Sequence, residues 1–128
     1  MKKILFIEDE QALQKTIGDR LSPEGYEIIS ALDGEIGLTL AREKKPDLIL
    51  LDLILPKLQG LEVLKKLKED IATQNIPVII LTNLEEMENV NKALELGATT
   101  YLVKANYSLE ELAEKIRQIL RWKLNRNN

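Results

Sequence analysis

Apolar and polar positions along the chain alternate between two periods. Short strand-like runs occur at KILFI (3–7), YEIIS (26–30), DLILLD (47–52), PVIILT (77–82) and TYLVK (100–104). Most of these are apolar throughout rather than at every second residue, the pattern of a strand covered on both faces. Between them, apolar residues return every three or four positions, as on one face of a helix. They are Leu13, Ile17 and Leu21 in 10–21, Leu61, Leu64 and Leu67 in 60–70, and Val90, Ala93, Leu94 and Gly97 in 85–97. The strongest stripe, in 108–124, is Leu109, Leu112, Ile116, Ile119 and Leu120. A weaker helix is expected over 33–45, where two glycines lower the propensity. The SPEG stretch (22–25) stops the first helix, and Ser108 followed by Glu111 makes a capping box for the last. The order βαβαβαβαβα predicts one α/β domain, a doubly wound parallel sheet with helices on both faces. It should occupy residues 1–124, with 125–128 a disordered tail.

Composition narrows the chemistry. The 128 residues carry 45% hydrophobic and 30% charged side chains, with a net charge of −3. That balance is ordinary for one globular domain and argues against a generic nucleic-acid binder, which carries a basic excess. The sequence contains no cysteine and no histidine. Disulfides, thiolate metal sites, imidazole zinc sites and a phosphohistidine on this chain are thereby excluded. No apolar run approaches the ~20 residues that span a bilayer, so a cytoplasmic protein is expected.

In a doubly wound sheet, ligands bind beyond the carboxyl ends of the strands, where the strand order reverses. The residues at those ends are Glu8, Asp9 and Glu10 after the first strand, then Asp52, Thr82 and Lys104. Carboxylates gathered at one mouth repel each other unless a cation lies among them, and oxygen ligands alone select a hard ion, Mg²⁺ or Mn²⁺. Thr82 and Lys104 add a hydroxyl and an ammonium group suited to a phosphoryl oxyanion. Glu10 reads as a solvated acid of a first helical turn.

The pieces ILFIEDE (4–10), PDLILLDLILP (46–56), QGLEVL (59–64), IPVIILT (76–82) and GATTYLVK (97–104), in this order and spacing, resemble the receiver domain of two-component response regulators. The resemblance covers roughly residues 1–122. It implies a CheY-like, flavodoxin-like fold of five parallel strands in the order 2-1-3-4-5 with five helices. Carried onto this sequence, it makes Asp52 the phosphoacceptor. Asp9 would ligate Mg²⁺, Glu8 would hold it through water, and the backbone carbonyl of Ile54 would complete the protein ligands. Thr82 and Lys104 would grip the phosphoryl oxygens, and Tyr101 would move as a switch residue with Thr82. The implied donor is a sensor histidine kinase or phosphotransfer protein. The implied output is a changed surface of helix 85–97, strand 100–104 and helix 108–124, offered to a protein target. Direct nucleic-acid or membrane contact is not expected. The protein would be a monomer or a phosphorylation-promoted dimer, acting catalytically only on its own phosphorylation and slow dephosphorylation.

Several positions depart from the family or compete with this reading. Glu8 stands where aspartate is commoner. Ala105 follows Lys104 where the family usually has proline after a cis bond; a retained cis bond is expected here despite its cost of about 2.5–4 kcal/mol. Ile54 and Leu84, two residues after Asp52 and Thr82, are apolar and cannot orient a water, so slow self-hydrolysis is expected. A haloacid-dehalogenase-type phosphohydrolase needs an acid at position 54 and has Ile54 instead. A phosphorylation-independent interaction module of the same fold is the alternative. Trp122 reads as the end of an apolar stripe or a partner contact. Lys115, Arg117, Arg121, Lys123 and Arg126 read as a solvated basic face.

Overall fold

The computed structural model describes residues 1–126, without the side chains of Leu84 and of residues 124–126. Five strands alternate with five helices: β1 (Lys3–Ile7), α1 (Gln11–Leu21), β2 (Glu27–Ala31), α2 (Gly34–Lys44), β3 (Leu48–Asp52), α3 (Gly60–Glu69), β4 (Val78–Thr82), α4 (Met87–Glu95), β5 (Thr100–Val103) and α5 (Leu109–Arg126). All strand pairs are parallel, in the order β2-β1-β3-β4-β5. The chain reverses direction of travel between β1 and β3, so the crevice beyond those two strands is the switch point of the sheet.

The strands read as continuous apolar runs because both of their faces are covered. β3 and β4 are buried at every position. Alternate residues go to opposite faces. Leu5, Ile7, Ile49, Leu51, Val78 and Ile80 pack with Ala41 of α2, Val63, Leu64 and Leu67 of α3, and Val90 and Ala93 of α4. Ile4, Phe6, Leu48, Leu50, Ile79, Leu81 and Leu102 pack with Ile17 and Leu21 of α1 and with Leu112, Ala113, Ile116 and Leu120 of α5. The edge strand β2 is less covered.

Helix ends follow local chemistry. Asp33 accepts from the Ile36 amide at 2.8 Å at the start of α2, and Ser108 accepts from the Glu111 amide at 3.1 Å at the start of α5. The segment expected as one helix over 85–97 is divided: a 3-10 turn, Leu84–Glu86, precedes the shorter α4. Leu94, expected on its apolar stripe, is exposed. α5 runs to Arg126, into the segment expected as a tail; Asn127 and Asn128 lie outside the described residues, as does the Arg126 side chain. Trp122 is 58% exposed, beside a shallow apolar groove lined by Thr99, Gln118 and Ile119. Arg117 pairs with Glu114 and with Glu24 of the turn after α1, rather than standing as a solvated cation.

Candidate functional site

The site arises where apolar rows of the sheet run out. Ile4 and Phe6 are core residues on the α1/α5 face, and the next position of that row is Glu8. Leu48 and Leu50 lead in the same way to Asp52, and Leu102 leads to Lys104. Period-two alternation therefore brings two carboxylates and an ammonium group from three strands to one rim. Backbone hydrogen bonds carry the ladder this far. The Glu8 amide donates to Ala31 O at 2.9 Å, and the Lys104 amide donates to Thr82 O at 2.8 Å. Asp52 closes β3 as expected, but it is only 4% exposed, so its carboxylate sits under the rim rather than on it.

Carboxylate oxygens of Glu8, Asp9 and Asp52 all lie within 4.8 Å of one another. Lys104 Nζ donates to Asp52 Oδ2 at 2.8 Å and lies 2.9 Å from Glu8 Oε1. The second contact is off the line of a hydrogen bond, and Glu8 Oε1 is a buried oxygen with no hydrogen-bond donor among the described residues. Glu8 is 1% exposed, and burial pushes its carboxyl up to about 7. The Lys104 ammonium opposes that rise, while the neighbouring Asp52 reinforces it. Burial works to lower the Lys104 ammonium, but its hydrogen bond with Asp52 and its ion pair with Glu8 outweigh that and raise it. Three carboxylates with converging oxygens, one of them a buried oxygen held only by an ion pair among the described residues, fit a metal ion with oxygen ligands.

The remaining expected residues sit close by with different surroundings. Thr82 is buried at the end of β4, and its hydroxyl donates to Asn83 O at 3.1 Å. Pairing of Ile80 with Tyr101 and of Thr82 with Val103 puts Thr82 and Tyr101 on the same face of the sheet, two rungs apart. Tyr101 is half-buried against the cluster that includes Val90 and Ala93 of α4. The Ile54 amide donates to Asp52 Oδ1 at 3.2 Å, and its side chain is 46% exposed. The Leu84 side chain lies outside the described residues. The expected cis bond between Lys104 and Ala105 is not found; the described residues have no cis peptide bond. Without proline the cis form loses its usual relief, and Lys104 reaches Asp52 across a trans bond.

Two contributors were not anticipated. Gln14, in α1, is buried beneath the rim and donates to Phe6 O at 2.9 Å, Glu8 O at 3.1 Å and Ala31 O at 3.3 Å. The signal was a polar residue on the same helical stripe as Ile17 and Leu21. Gly60 opens α3 directly against the end of β3, its amide donating to Leu53 O at 3.0 Å. A Cβ there would meet Asp52 O and Leu53 Cα, each at 2.5 Å.

Comparison with known proteins agrees with this geometry. The family model described as the response regulator receiver domain matches residues 4–117. The probable transcriptional regulator ycf27 of Porphyridium aerugineum is 41% identical over 120 residues, covering 94% of this chain and 48% of that protein. The alkaline phosphatase synthesis transcriptional regulatory protein PhoP of Bacillus subtilis is 40% identical over 120 residues, covering 94% and 49%. The chain thus spans about half the length of these curated relatives. A CheY-like receiver domain protein from Methanospirillum hungatei superposes with a TM-score of 0.91 at 28% identity, covering 98% of each chain.

Proposed function

Because this chain belongs to the response regulator receiver domain family, the phosphoacceptors of two-component signalling, we propose that Asp52 is its phosphoacceptor, taking a phosphoryl group from a histidine of a partner kinase or phosphotransfer protein. The observation that carries this reading is the bridge of Lys104 between Asp52 Oδ2 and Glu8 Oε1, in a mouth shared with Asp9. A carboxylate nucleophile, a cation for the incoming oxyanion and spare acids for a metal meet there.

Each residue has a distinct task. Asp9 and Asp52 would hold Mg²⁺ directly, the Ile54 carbonyl would supply a further ligand, and Glu8 would act through water. Such an ion neutralises the charge of the donor phosphate and fixes its orientation. One Asp52 oxygen forms the bond to phosphorus as the P–N bond to the donor imidazole breaks, and the electron pair returns to that nitrogen. The Ile54 amide steadies Oδ1 while this happens. Lys104 then exchanges its contact with Asp52 for a phosphoryl oxygen.

The new acyl phosphate adds charge at the rim. The Thr82 hydroxyl, released from Asn83 O, turns toward it and vacates space on the α4 face of the sheet. Tyr101 lies on that same face and follows, altering the surface of α4, β5 and α5 that meets the downstream protein. The net charge of −3 supports a protein rather than a nucleic acid as this domain's own contact.

Incubation with a small phosphodonor and Mg²⁺, read by intact mass, tests the proposal. A gain of one phosphoryl group in wild type and none in Asp52→Asn supports it. No gain in wild type overturns it, and steady turnover of donor without a phosphorylated protein would indicate a hydrolase instead.

A further inference from the structure

We propose that Gln14 is a positioning residue for the metal-binding acids, its side chain holding the main chain that enters Asp9 from beneath the rim. The inference rests on the reading of Glu8, Asp9 and Asp52 as the metal site. Asp9 is exposed and lies beyond the last residue of β1, so it depends on the main chain to bring its carboxylate near Glu8 and Asp52.

The Gln14 side chain supplies that main-chain order on the entering side. The Gln14 side-chain amide donates to Glu8 O at 3.1 Å, which fixes the peptide entering Asp9. The Gln14 backbone amide donates to Glu10 O at 3.0 Å, the first-turn helix bond that a substituted side chain at this position would keep. The same side chain reaches Phe6 O and Ala31 O, and Ala31 O also accepts from the Glu8 amide. β1, β2 and α1 are thereby tied at one point below the acids.

The amide is also locked in orientation. Ser30 Oγ donates to Gln14 Oε1 at 2.8 Å, so a flipped amide would lose that bond and present an oxygen to three carbonyls. Gln14 is 8% exposed, which leaves water little room to replace it. Removing the donor takes away the Gln14 bond to Glu8 O, the carbonyl entering the acid loop, and the loop relaxes away from ligand geometry. Groups that orient metal ligands typically contribute 10–100-fold to metal affinity.

The test is Mg²⁺ affinity of the whole chain, measured by calorimetry below the unfolding temperature. Gln14→Met keeps length and volume while removing the donor, and Ser30→Ala only frees the amide to turn. Ile116→Val, an apolar core substitution in α5 on the same face of the sheet that touches no hydrogen bond of the acid loop, serves as a destabilised control. Gln14→Met should weaken Mg²⁺ binding ~10-fold, Ser30→Ala should weaken it less, and Ile116→Val should leave it unchanged. Phosphorylation by a small phosphodonor should be slower in Gln14→Met at low Mg²⁺ and should converge with wild type at saturating Mg²⁺. Wild-type affinity in Gln14→Met, or an equal loss in Ile116→Val, overturns the inference. If Gln14→Met does not fold, Ser30→Ala decides: unchanged affinity there overturns the inference. Absence of Mg²⁺ binding in wild type overturns the metal site itself, a separate result.

Discussion

Glu8 holds a price on stability that pH reveals. Its carboxyl stands at about 7 in the fold against an ordinary 4.5, chiefly because it is buried. A carboxyl raised on folding binds its proton more tightly in the native state. Stability from this group is therefore fully retained below about 4.5, falls as pH rises toward 7, and is level above it. At about 1.36 kcal/mol per pH unit, the span corresponds to about 3 kcal/mol at pH 8. Glu8→Gln removes the charge and keeps an acceptor for the Glu10 amide, which Glu8 Oε2 now receives at 3.1 Å. Lys104 retains Asp52 as a partner in the variant. Urea unfolding without divalent metal, from pH 5 to 8, isolates Glu8 as the difference between variant and wild type. The variant should gain steadily over wild type with rising pH, by up to about 3 kcal/mol at pH 8. Added Mg²⁺ should erase much of the gap by stabilising wild type. A difference that stays flat across this range, or a variant less stable than wild type at pH 8, refutes the assignment of an electrostatic cost to Glu8.

Other positions give independent tests. Gly60→Ala should cost about 2–3 kcal/mol in urea unfolding, since its Cβ meets backbone atoms that cannot yield; unchanged stability would contradict the close approach of α3 to β3. Lys57 has φ 71°, a left-handed conformation that costs an L-residue about 1–2 kcal/mol. Lys57→Gly removes that cost and adds about 0.5–1 kcal/mol of unfolded-state entropy, so the melting temperature should rise slightly; a fall would contradict the strain. Ile54→Asn places a polar group beside Asp52 where the exposed Ile54 cannot orient water. It should lose its phosphoryl group faster, on the order of tenfold, when decay of the isolated phosphoprotein is followed; faster decay in wild type refutes the obstruction.

The strands were legible because coverage on both faces writes itself as unbroken apolar runs, as in Leu48–Leu51 of β3. Asp52 was legible for the same reason: a carboxylate ending such a run must face a ligand crevice or a counter-charge. What escaped was chemistry set by approach in space. Leu13 packs against the core as its spacing indicates, but its neighbour Gln14 is buried as well, aimed at carbonyls contributed by two strands. Gly60 stands at the start of the segment expected as a helix over 60–70, and only the distance to Asp52 O shows why a side chain cannot fit there. Within α4, Val90 and Ala93 are buried but Leu94 is exposed, although its spacing from Val90 fits a buried stripe. At Lys104–Ala105 the family pattern misled: the lysine reaches its partners without the cis bond that proline usually brings.

Borohydride reduction of the phosphorylated protein, followed by peptide mapping, tests the central claim most directly, because hydride converts an aspartyl phosphate to homoserine at the modified residue. The residue converted should be Asp52, only when Mg²⁺ was present during phosphorylation. Conversion at Glu8 or Asp9, or none in a protein that carries phosphate, would contradict the assignment of the phosphoacceptor.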